Sequence, residues 1–278
     1  IREFFGHYGL LADLFWDNSG DLGGNHWGWA NEWIYPAYLK SRKDWTPEQR
    51  QHARALLVFR VHLQDMDIAM PHQSMMSGHP NFVVTMKQGY AIAAATFPKH
   101  PHAQRWKDEF LRFWDEFLTL FVRPGDPTTN ALPGRWTENV TCYNFASMES
   151  CNNAAQSLFV FDGTRLFAHP IAQQWLNWNM HTLVPFYEGN GRIVPPQGAH
   201  ARLFEVEPGG RWHTKLNAIA RLEASQGSEI GQYLLWCTSG GREGKQPQLE
   251  SQVFQDYGAV LRYDFGGPNE AYLNVQEL

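Results

Sequence analysis

The sequence of 278 residues is 43% hydrophobic, which supplies a sizeable core and argues against disorder. A net charge of −5 with His neutral gives no global basic field for nucleic acid, so an anionic ligand has to be met by local Arg, His and Asn. Cys142, Cys151 and Cys237 show neither CxxC nor zinc-ligand spacing, and no run of roughly 18 uncharged apolar residues occurs, which argues against a disulfide framework, a metal knuckle and a membrane span.

The first 45 residues are rich in Gly and Trp, with short helical pieces expected around Asp13 and from Trp29 to Lys40. Thr46-Pro47-Glu48 reads as a helix start, with Thr as N-cap, Pro in the first helical position and an acid in the first turn. That helix is expected to reach about Met66 on the apolar positions Ala55, Leu56, Val58, Phe59 and Leu63. After a loop containing Pro71, Gly78 and Pro80, the stretch from Asn81 to Phe97 reads as a buried helix closed by Pro98. From His102 to Val122, Trp106, Phe110, Phe113, Trp114, Phe117 and Leu120 recur at helical spacing. A polar loop from Arg123 to Asn139 leads into a helix from Cys142 to about Phe161, on which Cys142 and Cys151 are core positions. Further helices are expected over 171–184, 214–224 and 229–237, with a Pro/Gly-rich loop over 189–210. Past the polar run 240–251, the segments 257–263 and 271–275 flank a Gly-Gly-Pro turn and read as a β-hairpin.

Successive amphipathic helices bury their stripes only against one another, so the body is expected to be mainly α. Helical pairs of roughly 30 to 45 residues point to an α/α toroid. Two strands alone do not make a stable domain, so the hairpin either docks on the helical body or begins further β structure.

Aromatic residues make up 14% of the chain, including 12 Trp, and Trp and Tyr line sugar-stacking grooves as readily as they fill cores. Two segments carry candidate chemistry. Ser77-Gly78-His79-Pro80-Asn81 stands at the mouth of the buried helix, where Asn81 also has a plain reading as an N-cap. Gly134-Arg135-Trp136-Thr137-Glu138-Asn139-Val140-Thr141-Cys142-Tyr143 delivers an acid, an amide and a phenol into the next helix, where Glu138 also reads as a capping acid and Tyr143 as a core aromatic.

In order and spacing these segments resemble the heparinase II/III and alginate lyase families, and are similar to the chondroitin lyase group. His26-Trp27-Gly28-Trp29-Ala30-Asn31-Glu32 looks like the aromatic stretch of that group, and Gly191 to Gly198 with the hairpin looks like the end of the toroid and the start of its following β-sandwich. The resemblance implies an incomplete α/α toroid over 1–245, truncated at its N-terminal side, and the start of an antiparallel β-sandwich domain over 246–278. It also implies a periplasmic or secreted polysaccharide lyase acting by β-elimination on an acidic, uronate-containing polysaccharide or oligosaccharide. No cofactor follows from the residues present; a divalent metal belonging to β structure outside this sequence stays open.

Residue by residue, the resemblance gives Asn81 the uronate carboxylate, Tyr143 the proton, and Glu138 a positioning role. Many members carry His directly after that Asn, where this sequence has Phe82, and the chondroitin lyases carry His where Asn139 stands. The base is therefore open among His200, His79 and His26. Sugar contacts are expected at His26, Trp27, Trp29, Glu32, Arg135, Trp136, Glu138 and Asn139.

The residue types suit the reaction. A proton α to a carboxylate is weakly acidic because the enediolate is high in energy, and an amide or His donor on the carboxylate stabilises that developing charge. A phenol of ordinary pKa about 10 acts as a base only when neighbours such as Arg135 or a His cation favour the phenolate, and it can also return a proton to the leaving oxygen. Two other readings stay open. One is an inverting toroid glycoside hydrolase with Glu138 as acid and Asp17, Asp21 or Glu32 as base; the other is a glycan-binding relative without catalysis. Elsewhere, His52 and His62 read as structural and His100, His102 and His169 as surface residues near helix ends, while His181 and His213 are undecided. Asp65 and Asp67 approach no known metal loop, and the glycosylation pattern Asn139-Val140-Thr141 reads as coincidence.

Overall fold

The computed structural model describes residues 35, 38–40, 44–65, 80–186, 191–198 and 202–276. The chain clusters into two units, residues 1–114 with 153–164, and residues 115–152 with 165–278. The elements are helices α1 (Pro47–Asp65), α2 (Pro80–Thr96), α3 (Ala103–Phe121), α4 (Cys142–Asp162) and α5 (Pro170–Thr182), strands β1 (Val184–Phe186) and β2 (Arg192–Ile193), helices α6 (Leu203–Val206), α7 (Arg211–Ser225) and α8 (Glu229–Thr238), and strands β3 (Gln252–Phe254), β4 (Gly258–Tyr263) and β5 (Ala271–Gln276). The mainly α class expected from the sequence is observed.

In the first unit, α2 is apolar all round and correspondingly enclosed, burying Val83, Val84, Met86, Tyr90, Ala91, Ala93 and Ala94. α1 lays Ala53, Leu57 and Val61 inward and leaves His52 and His62 exposed. The first part of α3 buries Trp106, Phe110, Phe113 and Trp114, with His100 stacked on Trp106 at 4.5 Å. Lys107 pairs with Asp162, and Asn153 Nδ2 donates to Gln88 Oε1 at 3.2 Å.

In the second unit, α7 and α8 form a helical hairpin, and Ser228 caps α8 by accepting from the Gly231 amide. A buried polar network links α4 to α5: Asn144 Nδ2 donates to Asn179 Oδ1 at 2.7 Å, and Trp175 Nε1 donates to Asn144 Oδ1 at 2.8 Å. The expected hairpin gains a short third strand, giving one antiparallel sheet in the order β3-β4-β5; a smaller sheet pairs β1 with β2. In β4 and β5 the register sets Leu261 opposite Leu273 and Arg262 opposite Tyr272. Period-2 alternation then turns Arg262 and Tyr272 toward α5, where Arg262 donates to the carbonyls of His181 and Leu183 and the Tyr272 hydroxyl donates to the Thr182 carbonyl. The opposite face keeps Val253, Leu261, Tyr263, Leu273 and Val275 exposed.

Candidate active site

The loop before α4 is built by close backbone approach. Isolated bridges join Val122 to Trp136 and Asp126 to Ala131, and the Leu132 amide donates to the Val253 carbonyl at 2.8 Å. Gly134 has φ +117°, and a Cβ there would lie 2.2 Å from the Gln174 carbonyl oxygen, so only glycine lets the loop seat on α5. The loop delivers Glu138, Asn139 and Tyr143 to the start of α4.

Asn139 has a structural task. Its Oδ1 accepts from the amides of Thr141 at 3.1 Å and Cys142 at 2.8 Å, satisfying donors that the first turn of α4 leaves without intrahelical partners. Thr141 is fully buried, its hydroxyl bonded to the Pro195 carbonyl and to the Gln197 backbone. Asn139 Oδ1 and the Thr141 hydroxyl, both within the glycosylation pattern, thus each have a place in the fold.

Tyr143 occupies the first turn of α4, half-buried, and its hydroxyl has no hydrogen-bond partner among the described residues. The charges that act on the adjacent Cys142, whose thiol burial pushes up, come from Arg211, Lys215, Glu205 and Glu138. Lys215 is tied to Glu149 of α4 and lies against the ring of the buried Trp212. Arg211, one turn earlier on the same face of α7, is exposed, stacks on Trp212 at 4.5 Å and has no carboxylate partner among the described residues. Two cations therefore act on Cys142, the residue before Tyr143, at the positive end of the α4 dipole. Sequence reading missed both, because the helix start was expected at Thr214. The actual N-cap is Gly210, which has no side chain to signal a start. An i,i+4 pair of cations within one helix face was the available clue.

The other expected site residues separate. Trp136 is a correction: it is completely buried, packed by Phe117 and Phe121 and stacked on Trp175 at 4.7 Å, so it offers no ring face to a sugar. Arg135 is half-buried with Arg123, Asp256 and Tyr257 as its charged neighbours; burial and then Arg123 push its pKa down against the pull of Asp256 and Tyr257. Asn81 lies in the first unit. Pro80 takes the first helical position, where its missing N–H goes unneeded, so Asn81 stands inside the first turn rather than at the N-cap. Its side chain is 5% exposed, and its carbonyl accepts from Thr85 Oγ1 at 2.6 Å. Glu138 is half-buried. His26, Trp27, Trp29, Glu32, His79 and His200 lie outside the described residues, as do Asp17 and Asp21. Among the described residues no group of three or more His, Cys, Asp or Glu gathers as metal ligands would, and no helix is long and apolar enough to cross a membrane.

Three solved structures superpose on 92% of this chain. They are the heparinase III BT4657 gene product with a TM-score of 0.56 at 12% identity, the same product with methylated lysines with 0.60 at 13%, and heparinase III with 0.58 at 15%. The fold is heparinase III-like. The chain spans 36–37% of the length of those proteins, so the heparinase III-like fold seen here corresponds to a part of theirs. No family model and no curated protein matches the sequence. At this identity the likeness establishes the heparinase III-like architecture and leaves the chemistry to the residues.

Proposed function

We propose that this chain is part of a polysaccharide lyase that cleaves a uronate-containing glycan by β-elimination, with the region 1–245 as the catalytic toroid and 246–278 as the start of the β-sandwich. The observation that carries the reading is the exposed Arg211, with no carboxylate partner among the described residues, acting with Lys215 on Cys142 in the first turn of α4, the turn that also carries Tyr143. A cation there meets an acidic sugar, and a half-buried phenol in the same helical turn suits proton transfer at a substrate rather than core filling. The named activity of the structural neighbours, heparinase, fits such a substrate.

In this reading Tyr143 moves the proton and Glu138 positions the sugar. Asn81 keeps the carboxylate-neutralising role that the family resemblance gives it, and the base comes from His79, His200 or His26, with Trp27, Trp29 and Glu32 as sugar contacts. Secretion or export to the periplasm follows, since acidic polysaccharides of this kind lie outside the cell.

The test is incubation of the full-length protein with heparan, alginate, chondroitin and ulvan while following near-ultraviolet absorbance from the unsaturated product. Absorbance should rise with at least one of them, and Tyr143→Phe and Asn81→Ala should each lower the rate by about 10²–10⁴-fold, the usual scale for a proton-transfer or charge-stabilising group. No rise with any uronate, together with hydrolysis of a neutral glycan, defeats the proposal.

A further inference from the structure

A cavity of about 560 Å³ opens in the second unit between α5, α8 and the segment that follows α8, within the roughly 300–1,000 Å³ range of small-molecule sites. None of the candidate catalytic residues lines it. Its walls are rich in carboxamides. Gln173 is committed to the Phe167 carbonyl through its Nε2, whereas the side chains of Asn177, Gln246 and Gln248 have no hydrogen-bond partner among the described residues.

The charged groups at its rim cancel. Glu229 Oε1 accepts from the Tyr233 hydroxyl at 2.6 Å and from Lys245 Nζ at 3.4 Å, and Lys245 lies over the Tyr233 ring. At the inner wall stands His181, 6% exposed, its Nδ1 closed off from solvent and without a hydrogen-bond partner among the described residues. Burial, and next to it the charge of Arg262, holds that imidazole neutral near physiological pH.

The wall facing α5 is preformed. The Lys245 amide donates to the Gln232 carbonyl at 3.1 Å, and Gly244 at φ +83° approaches so closely that a Cβ would sit 2.3 Å from that oxygen. This fixes the backbone at 244–245 against α8, and the exposed side chains of Gln246 and Gln248 project from the segment that follows.

We propose that this cavity is a binding site for an uncharged, hydroxyl-rich saccharide unit, separate from the elimination site. Each carboxamide both donates and accepts, which matches a sugar hydroxyl, and Tyr233 adds an aromatic edge with a polar tip. A uronate or sulfated unit would gain little there, because Lys245, the one cation among the lining residues, shares its charge with Glu229 in an exposed pair. The inference does not rest on the lyase reading, since a neutral sugar would bind here whether or not the chain eliminates uronates.

The experiment is saturation-transfer difference NMR on the 278-residue chain with cellobiose, N-acetyl-D-glucosamine and D-glucuronate, repeated with Asn177→Ala, Gln248→Ala and the control Glu250→Ala, each checked for an unchanged melting curve. The expected result is transfer to at least one of the two neutral sugars, unchanged in the control and weakened roughly five- to tenfold by each of the other substitutions, the scale of one lost hydrogen bond. Absence of transfer to both neutral sugars, transfer that survives both cavity substitutions, or stronger binding of D-glucuronate would overturn it. None of these readouts uses turnover, so failure here and failure of the lyase reading are distinguishable.

Discussion

Asn139 and Arg211 stand at opposite ends of the same question, whether a polar side chain near the start of α4 serves the fold or the ligand. Asn139 holds two main-chain amides, so Asn139→Ala should cost about 1 kcal/mol and lower the melting temperature by a few degrees, while Asn139→Asp, which keeps the acceptor, should restore most of it. Circular-dichroism melts decide this; a full loss of activity with unchanged stability would make Asn139 a substrate contact instead. Among the described residues Arg211 holds only the face of Trp212. In the lyase reading, Arg211→Ala should raise KM severalfold with kcat nearly unchanged and should blunt the salt dependence of kcat/KM, because it removes attraction that ground state and transition state share. A fall in kcat alone would count against that role. Trp136 shows why such distinctions escape the sequence: a Trp beside Glu138 looks the same whether its ring faces a groove or, as here, stacks on Trp175 in the core.

At the scale of elements, one carboxylate ties the sheet to β2 and holds the arginine that fastens the sheet to the end of α5. Glu270 accepts both Arg192 Nη1 and Nη2 at 2.7 Å and also Arg262 Nη1 at 3.2 Å, and Arg262 in turn holds the carbonyls that end α5. Arg192 and Arg262 are almost fully enclosed, with side-chain exposures of 0% and 1%. Glu270→Ala would leave two buried guanidinium groups without their anion, and the expected loss is about 3–5 kcal/mol, the penalty for breaking a buried pair from one side. Urea unfolding of the two proteins measures it; a loss below 1 kcal/mol would mean that water replaces the carboxylate freely. Most of this architecture was legible beforehand. Pro47, the aromatic stripe from Trp106 to Phe117 and the Gly-Gly-Pro turn located α1, α3 and the β4–β5 hairpin to within a few residues. Strands β1, β2 and β3, two or three residues long, escaped because such runs are too short for alternation to show, and they exist only through their partners. The Arg192–Glu270 clamp escaped for the same reason: nothing local links positions so distant in the chain.

For the whole molecule, the buried titratable groups set how stability depends on pH. His181 has its pKa lowered to about 4 by burial and then by Arg262, and His213 is lowered by burial against a hydrogen bond to the Thr238 backbone. In the unfolded chain both return to the ordinary value of about 6.5, so between that value and the folded pKa the unfolded state binds more protons. Stability from these two residues is therefore complete above about pH 6.5 and is lost as pH falls. His181 alone should account for about 2 kcal/mol by pH 5, at about 1.4 kcal/mol per unit of pH below 6.5. Glu270, which burial alone would raise but whose arginine partners lower, adds to the loss below its unfolded value. Glu223 works in the opposite direction: burial raises its pKa above the ordinary value, so its contribution is present at low pH and lost as pH rises through the folded pKa. Between pH 7 and 5 the two histidines and the raised Glu223 act in opposite directions, and His181, with the large shift, is expected to set the sign. Urea unfolding at pH 7 and pH 5 should show the free energy dropping by at least about 2 kcal/mol, and His181→Asn should remove about 2 kcal/mol of the drop. A free energy that stays level across that interval would mean that His181 and His213 take up protons in the folded protein without penalty.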